Sequence, residues 1–193
     1  MPKVVDPDEV KRDIRRAAWS AFSRRGVKGV GLGHVSAIAG VGRSSLYHYY
    51  PNKDSLLFDM IDHLLSEEEE MFAQTLSGEG SCSERISKLV DALMQEFSAW
   101  LDIAPAIFDL RALHEVRFRR FYGRIRRDLS TLIEEGKSTG EFSSSIAAEH
   151  ASACIIGLLD GLLLQYIVDP NSLENMNGWI ESTEQLVLRM VGK

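Results

Sequence analysis

Apolar residues in this chain recur three and four positions apart from Val10 onward, and nowhere do they alternate over the length of a strand. That patterning predicts an all-α protein. Val10, Ile14, Ala17, Ala18, Ala21 and Phe22 mark a first helix, which Asp6 can cap, Pro7 can open and Gly26 can close. Leu56, Leu57, Met60, Ile61, Leu64 and Leu65 form the stripe of a long helix that Asn52 can cap. After a loop at residues 77–81 (SGEGS), a stripe from Ile86 through Leu89, Val90, Leu93, Phe97 and Trp100 marks another helix, broken before Pro105. A short helix over residues 107–116 and a longer one from Phe118 to Ile133, punctuated by Gly136 and Gly140, come next. Residues 151–168 are almost continuously apolar, Asp169-Pro170-Asn171 turns the chain, and a final helix covers about residues 173–191. The apolar segment approaches bilayer-spanning length, but Asp160 at its centre costs about 2.5–3.5 kcal/mol in a membrane. It reads as a buried helix, with no membrane partner.

Residues 35–50, VSAIAGVGRSSLYHYY, contain two helices too short for a core stripe of their own, separated by Gly40. Val35, Ile38 and Ala39 share one face of the first; in the second, Leu46 and Tyr50 can turn inward with Tyr47 beside Leu46, and Pro51 ends it. Two short helices around a glycine turn make a helix-turn-helix, whose second helix fits a DNA major groove. Arg43 can pair bidentately with guanine, Ser44 and Ser45 are short enough to allow close approach, and Tyr47, His48 and Tyr49 can bond phosphates or bases. Lys53 falls in the first turn of the following helix, where backbone N–H groups favour an anion. Charge agrees with this assignment. The net charge is −6, yet the first 54 residues carry 10 basic and 5 acidic side chains, while the remainder carry 12 and 23.

The segment IAGVGRSSLYHYYPNKDSLL resembles the DNA-binding signature of the TetR family of bacterial transcriptional regulators, which runs approximately IAxxAGVSxxxLYxHFxxKxxLL. Val35, Ala39, Gly40, Val41, Leu46, Tyr47, Lys53, Leu56 and Leu57 fall on matching positions. Tyr50 replaces the usual Phe, Gly42 a capping Ser, Ser36 the usual Ala, and Gly31 a capping Thr or Ser. Each lost cap weakens its helix by about 1 kcal/mol if Ala-like, and less for Gly. The long helix after Asn52 has apolar residues enough to serve both sides of a domain boundary, which places a three-helix DNA-binding domain over residues 1–55 and a helical domain over residues 56–193, to which the resemblance assigns ligand binding and dimerisation. The resemblance implies a homodimer that pairs its last two helices into a four-helix bundle, a palindromic double-stranded DNA operator, a small-molecule effector and a repressor's role. It also places Tyr47 and Lys53 on phosphates.

In the body, Ala153, Gly157 and Gly161 repeat every fourth residue and allow close approach of another helix. Internal packing explains that row as well; the resemblance favours dimerisation. Phe97, Trp100, Phe108, Arg111, His114, Phe118 and Phe121 mix aromatics with polar groups that need partners when buried. Individually they read as core, and only the resemblance to a ligand-sensing family makes them a candidate pocket. The acidic run at residues 67–70 and the arginines of residues 117–127 read as solvated faces. Gly29, Gly31 and Gly33 lack the Lys-Ser/Thr and the spacing of a phosphate loop, and read as a flexible connector. Cys82 and Cys154 form no CxxC pair, so neither a disulfide nor a zinc site is expected, and a reducing cytoplasm suits the chain. The first residues lack an apolar segment of signal-peptide length. No HExxH, GxSxG or ExxH pattern supports an enzyme, a metal or a cofactor. The rival reading is a helical small-molecule or lipid-binding protein that never touches DNA, which the salt dependence of DNA binding separates from a regulator.

Overall fold

A computed structural model describes residues 6–98 and 115–192. Among them are eight α-helices, one 3-10 turn and no strand. Trp100, Phe108, Arg111 and His114 of the candidate pocket lie outside the described residues.

Helix α1, Pro7–Arg25, starts where its sequence provides a cap: the Asp6 carboxylate accepts the Asp8 amide at 3.0 Å, and Pro7 opens the first turn. It ends at Gly26, whose φ of 68° lets its N–H reach the Phe22 carbonyl. Ile14, Ala17, Ala18, Ala21 and Phe22 are its buried stripe. Against it packs α2, Leu32–Ala39, and against α2 packs α3, Arg43–Tyr49. Gly33 therefore lies in the first turn of α2 and not in a connector. The buried residues of α2 are Leu32, Val35 and Ser36, which leaves Ile38, expected inside, 46% exposed. An eight-residue helix has room for one narrow stripe, and Ile38 falls beyond its edge.

Helix α4, Lys53–Leu76, belongs to both halves of the chain: the two compact units divide between Leu64 and Leu65. In the first unit Leu56, Leu57, Met60 and Ile61 are buried. In the second, α4 contributes Leu65, Phe72 and Leu76.

The second unit continues with α5, Cys82–Gln95. What reads in sequence as a plain loop supplies its cap, because Ser81 and Glu84 form a capping box, each side chain accepting the other's backbone N–H. A second cap arrives from far along the chain. Glu141 accepts the amides of Cys82 and Ser83, both at 3.1 Å, and the Ser83 hydroxyl at 3.0 Å. Arg85, buried beside them, donates to the Leu76 carbonyl at 2.8 Å and pairs with Glu135.

Helix α6, Glu115–Thr139, packs on α7, Ala148–Val168. Gly136 sits inside α6 because a Cβ there would lie 2.2 Å from the ring of Phe142; the helix stops at Gly140, with φ 78°. The acidic run of α4 is more than a solvated face. Glu68 is buried, and Glu69 pairs with Arg117 at 2.5 Å and with the exposed Arg124 at 3.3 Å, so Arg117 is drawn onto α4 while Arg124 stays largely in solvent. A 3-10 turn, Pro170–Leu173, leads to α8, Met176–Met190, which packs on α5. Both cysteines are free, Cys82 buried and Cys154 exposed.

Helix α7 is long and apolar enough by length and composition to cross a membrane. It is also less buried than its sequence suggests. Ala148, Ala151, Ser152, Ile155, Ile156, Leu159 and Leu162 face the unit's interior, while Gly157, Leu164 and Val168 are exposed, Val168 by 78%.

Candidate nucleic-acid interface

The turn between α2 and α3 is built from glycine. Gly40 takes a left-handed conformation, φ 67° and ψ 19°, and its N–H and that of Val41 both close on the Ser36 carbonyl. Gly42 is the N-cap of α3, and Gly31 that of α2; neither helix start receives a side-chain cap, as expected where glycine replaces Ser or Thr.

Helix α3 then divides cleanly. Leu46 is fully buried and Tyr50, just beyond the helix, is 3% exposed, whereas Arg43, Ser44, Ser45, Tyr47 and His48 are open to solvent. Tyr47, expected near the inner face, is 43% exposed and belongs with the outer set. Tyr49 is half-buried, its ring edge-on to His48 at 5.8 Å between centroids. The Arg43 guanidinium extends across α2, where a Cβ at Gly33 would stand 3.6 Å from its Cζ. The outer face of α3 therefore offers one fixed cation, two small hydroxyls, a phenol and an imidazole on a helix seven residues long.

Lys53 is placed differently from the other six candidates. Its ammonium donates to the carbonyls of Val27 at 3.0 Å and Val30 at 3.3 Å, holding the loop between α1 and α2 to the start of α4. An ammonium has three N–H donors, so one remains for an anion. At the same end, Asn52 caps α4 by accepting the Ser55 amide at 2.8 Å.

A further group holds the far end of α3. The Tyr50 hydroxyl donates to the Asp59 carboxylate of α4 at 2.5 Å, and Arg15 of α1 donates to the same oxygen at 2.9 Å. Burial alone would raise the Asp59 carboxyl, but the hydrogen bonds from Tyr50 and Arg15 and the charges of Arg15 and Lys11 outweigh it and hold the group below the ordinary carboxylate range. Burial and the Asp59 hydrogen bond together push the Tyr50 phenol well above its ordinary value. Sequence reading missed Arg15 and Asp59. The signal was Tyr50 itself: a tyrosine where an apolar ring is usual brings a hydroxyl that must find a buried partner.

In the second unit Phe97 and Phe121 are buried and Phe118 half-buried. Phe97 faces Tyr166 of α7 at 6.2 Å, and Phe121 is edge-on to Tyr122 at 5.3 Å. Of the small-residue row, Ala153 and Gly161 are half-buried and Gly157 exposed, and a Cβ at either glycine would meet nothing within 4 Å. Asp160 lies on the same side. Partial desolvation raises its carboxyl above the ordinary range, a hydrogen bond with Tyr122 working in the opposite sense.

Two family profiles match the chain: "Bacterial regulatory proteins, tetR family" over residues 14–60, and "BetI-type transcriptional repressor, C-terminal" over residues 83–185. The chain belongs to the TetR family. Among its curated TetR relatives is the transcriptional regulator BetI of Vibrio parahaemolyticus, 25% identical, the match covering 90% of this chain and 88% of that protein. Another is the regulator TtgR of Pseudomonas putida, 22% identical, covering 92% and 90%. A solved TetR/AcrR regulator from Thermobifida fusca superposes with a TM-score of 0.77 at 22% identity, covering 93% of this chain and 97% of that one. The fatty acid degradation regulator FadR of Bacillus halodurans superposes with the same TM-score, 0.77, at 18% identity, covering 96% and 97%. These likenesses fix the all-helical fold. Together with the family profiles they make this TetR chain a transcriptional regulator with a helix-turn-helix, in a family of regulators and not of enzymes.

Proposed function

We propose that this protein is a homodimeric, effector-responsive repressor that reads a palindromic DNA operator with α3 of each protomer, working in the cytoplasm. One observation carries the reading most: α3 buries Leu46 and Tyr50 and turns Arg43, Ser44, Ser45, Tyr47 and His48 outward, which is the division a groove-reading helix needs. Arg43 takes guanine, the two serines lie near base edges, and Tyr47, His48, Tyr49 and the free donor of Lys53 meet phosphates or bases. Two copies spaced about 34 Å apart match one helical repeat of DNA. The pairing surface is the open side of α7, Ala153, Gly157, Gly161, Leu164 and Val168, with Trp179 and Leu186 of α8, 39% and 52% exposed.

The effector site lies among the aromatics Phe97, Phe118 and Phe121 of the second unit. Because α4 contributes to both compact units, it is the element through which a bound effector biases the reading helices. That bias requires the effector to bind the state with lower DNA affinity more tightly. Selecting bound fragments from sheared genomic DNA tests the reading directly. Recovery of a palindrome with half-sites one turn apart, bound with affinity that falls steeply as salt rises, is the expected result. Salt-insensitive, sequence-independent recovery would instead favour a helical carrier.

A further inference from the structure

We infer that Asp59 is a positioning residue for operator reading: its carboxylate, shared by the Tyr50 hydroxyl and the Arg15 guanidinium, fixes the direction in which α3 points. The inference rests on α3 being the reading helix. Helix α3 has seven residues and no side-chain cap at its start, so it has little stability of its own. Its one fully buried side chain is Leu46, and an apolar contact holds a helix close without setting its orientation. The directional contact is at the other end, where Tyr50 Oη meets Asp59 Oδ2 at 2.5 Å. Arg15 then joins that oxygen to α1 at 2.9 Å, so three helices meet at one atom. Arg43 stands about 10 Å along the helix from Tyr50, and a small rotation there moves its guanidinium by more than base recognition tolerates, about 0.5 Å.

Stability alone does not explain this arrangement. The Arg15 Nε is buried and lacks a hydrogen-bond partner, which costs free energy that a purely apolar contact would avoid. The family signature usually carries Phe at position 50, so the hydroxyl is an addition that this chain makes to an otherwise apolar anchor.

The test compares affinity for a selected operator with affinity for a scrambled duplex of equal length, by fluorescence anisotropy on the full-length protein. Asp59→Asn should weaken operator binding about tenfold and Tyr50→Phe about threefold, and the double variant should be no weaker than Asp59→Asn alone. Binding to the scrambled duplex, dominated by phosphate charge, should change by less than about twofold. Amides of α3 should also lose hydrogen-exchange protection in Tyr50→Phe, a variant that keeps the buried ring and folds. Operator binding equal to the wild type in all three variants overturns the inference while leaving α3 as the reader. An equal loss on both duplexes overturns it as well, because that result reports folding. A wild-type protein that fails to prefer its operator removes the reading helix and this inference together.

Discussion

The outer face of α3 and the open side of α7 differ in kind. The outer face of α3 is short and polar, carrying Arg43, Ser44, Ser45, Tyr47 and His48 on a helix of seven residues. The open side of α7 is long and apolar, with Gly157, Leu164 and Val168 exposed along a helix of 21 residues. Water solvates the first at little cost, so a helix of that kind can stand free until a charged partner arrives. The second exposes apolar area interrupted by Asp160 and Gln165, and apolar faces of that kind call for a lasting cover. One chain thus carries a surface suited to a reversible partner and one suited to a permanent partner.

The largest test of that contrast lies on α7. Replacing Leu164 and Val168 together with Glu should convert dimer to monomer in sedimentation, and operator affinity should fall by about 100-fold or more as the two half-sites lose their linkage. A dimer that survives the double change would place the lasting interface elsewhere. Next in size, Arg43→Ala on the polar face should lose about 1–3 kcal/mol of operator affinity, read by anisotropy, without altering the oligomeric state. Gly157→Ala gives a smaller effect whose sign is informative. In the protomer a Cβ there meets nothing within 4 Å, so relief of glycine's helix penalty alone should stabilise by about 0.5–1 kcal/mol in thermal melts. If a second α7 packs closely at that point, the substitution should destabilise the dimer instead.

The smallest effects are in pH, and they have opposite signs in the two units. Asp59, faced by Arg15, Tyr50 and Lys11, has a lowered carboxyl. Its contribution is complete above pH about 4 and is lost as the pH falls through the lowered value. Asp160, facing Tyr122, is raised, so the folded state binds its proton more tightly and loses stability as the pH climbs from about 4 through the raised value. Urea unfolding across pH 3–7, a window set by about one unit below and three above the free carboxyl, should show Asp59→Asn flattening the acid limb. Asp160→Asn should flatten the other, and reversed assignments would break the contrast.

What local chemistry controls was legible in advance. The Asp6-Pro7 start of α1 and the glycine stops at Gly26 and Gly40 depend on neighbouring atoms only, and the structure shows each in place. The Ser81–Glu84 box was equally local but lay hidden in a segment whose glycines and serines read as loop. Ile38 misled because periodicity marks a stripe without giving its width. The outward turn of Arg43, Ser44, Ser45 and His48 followed from spacing, whereas that of Tyr47 and the hydrogen bonds of Lys53 did not: which carbonyls Lys53 reaches, 23 and 26 residues back, depends on how the first unit packs. Arg15 and Asp59, 44 residues apart, were beyond reach for the same reason, though Tyr50 announced that some partner had to exist.

The carboxylate of Glu141 has a bearing on how the second unit is made. It supplies caps to Cys82 and Ser83 from 59 and 58 residues downstream, closing a long stretch of chain for the sake of one helix start. As the chain leaves the ribosome, α5 has its own Ser81–Glu84 box from the outset but waits for α6 to be synthesised and folded back before its first turn is complete. Contacts of such long sequence separation slow assembly, because the loop must close before the contact can form. A truncated product ending before residue 141 carries every residue of α5 and lacks the carboxylate that completes its first turn.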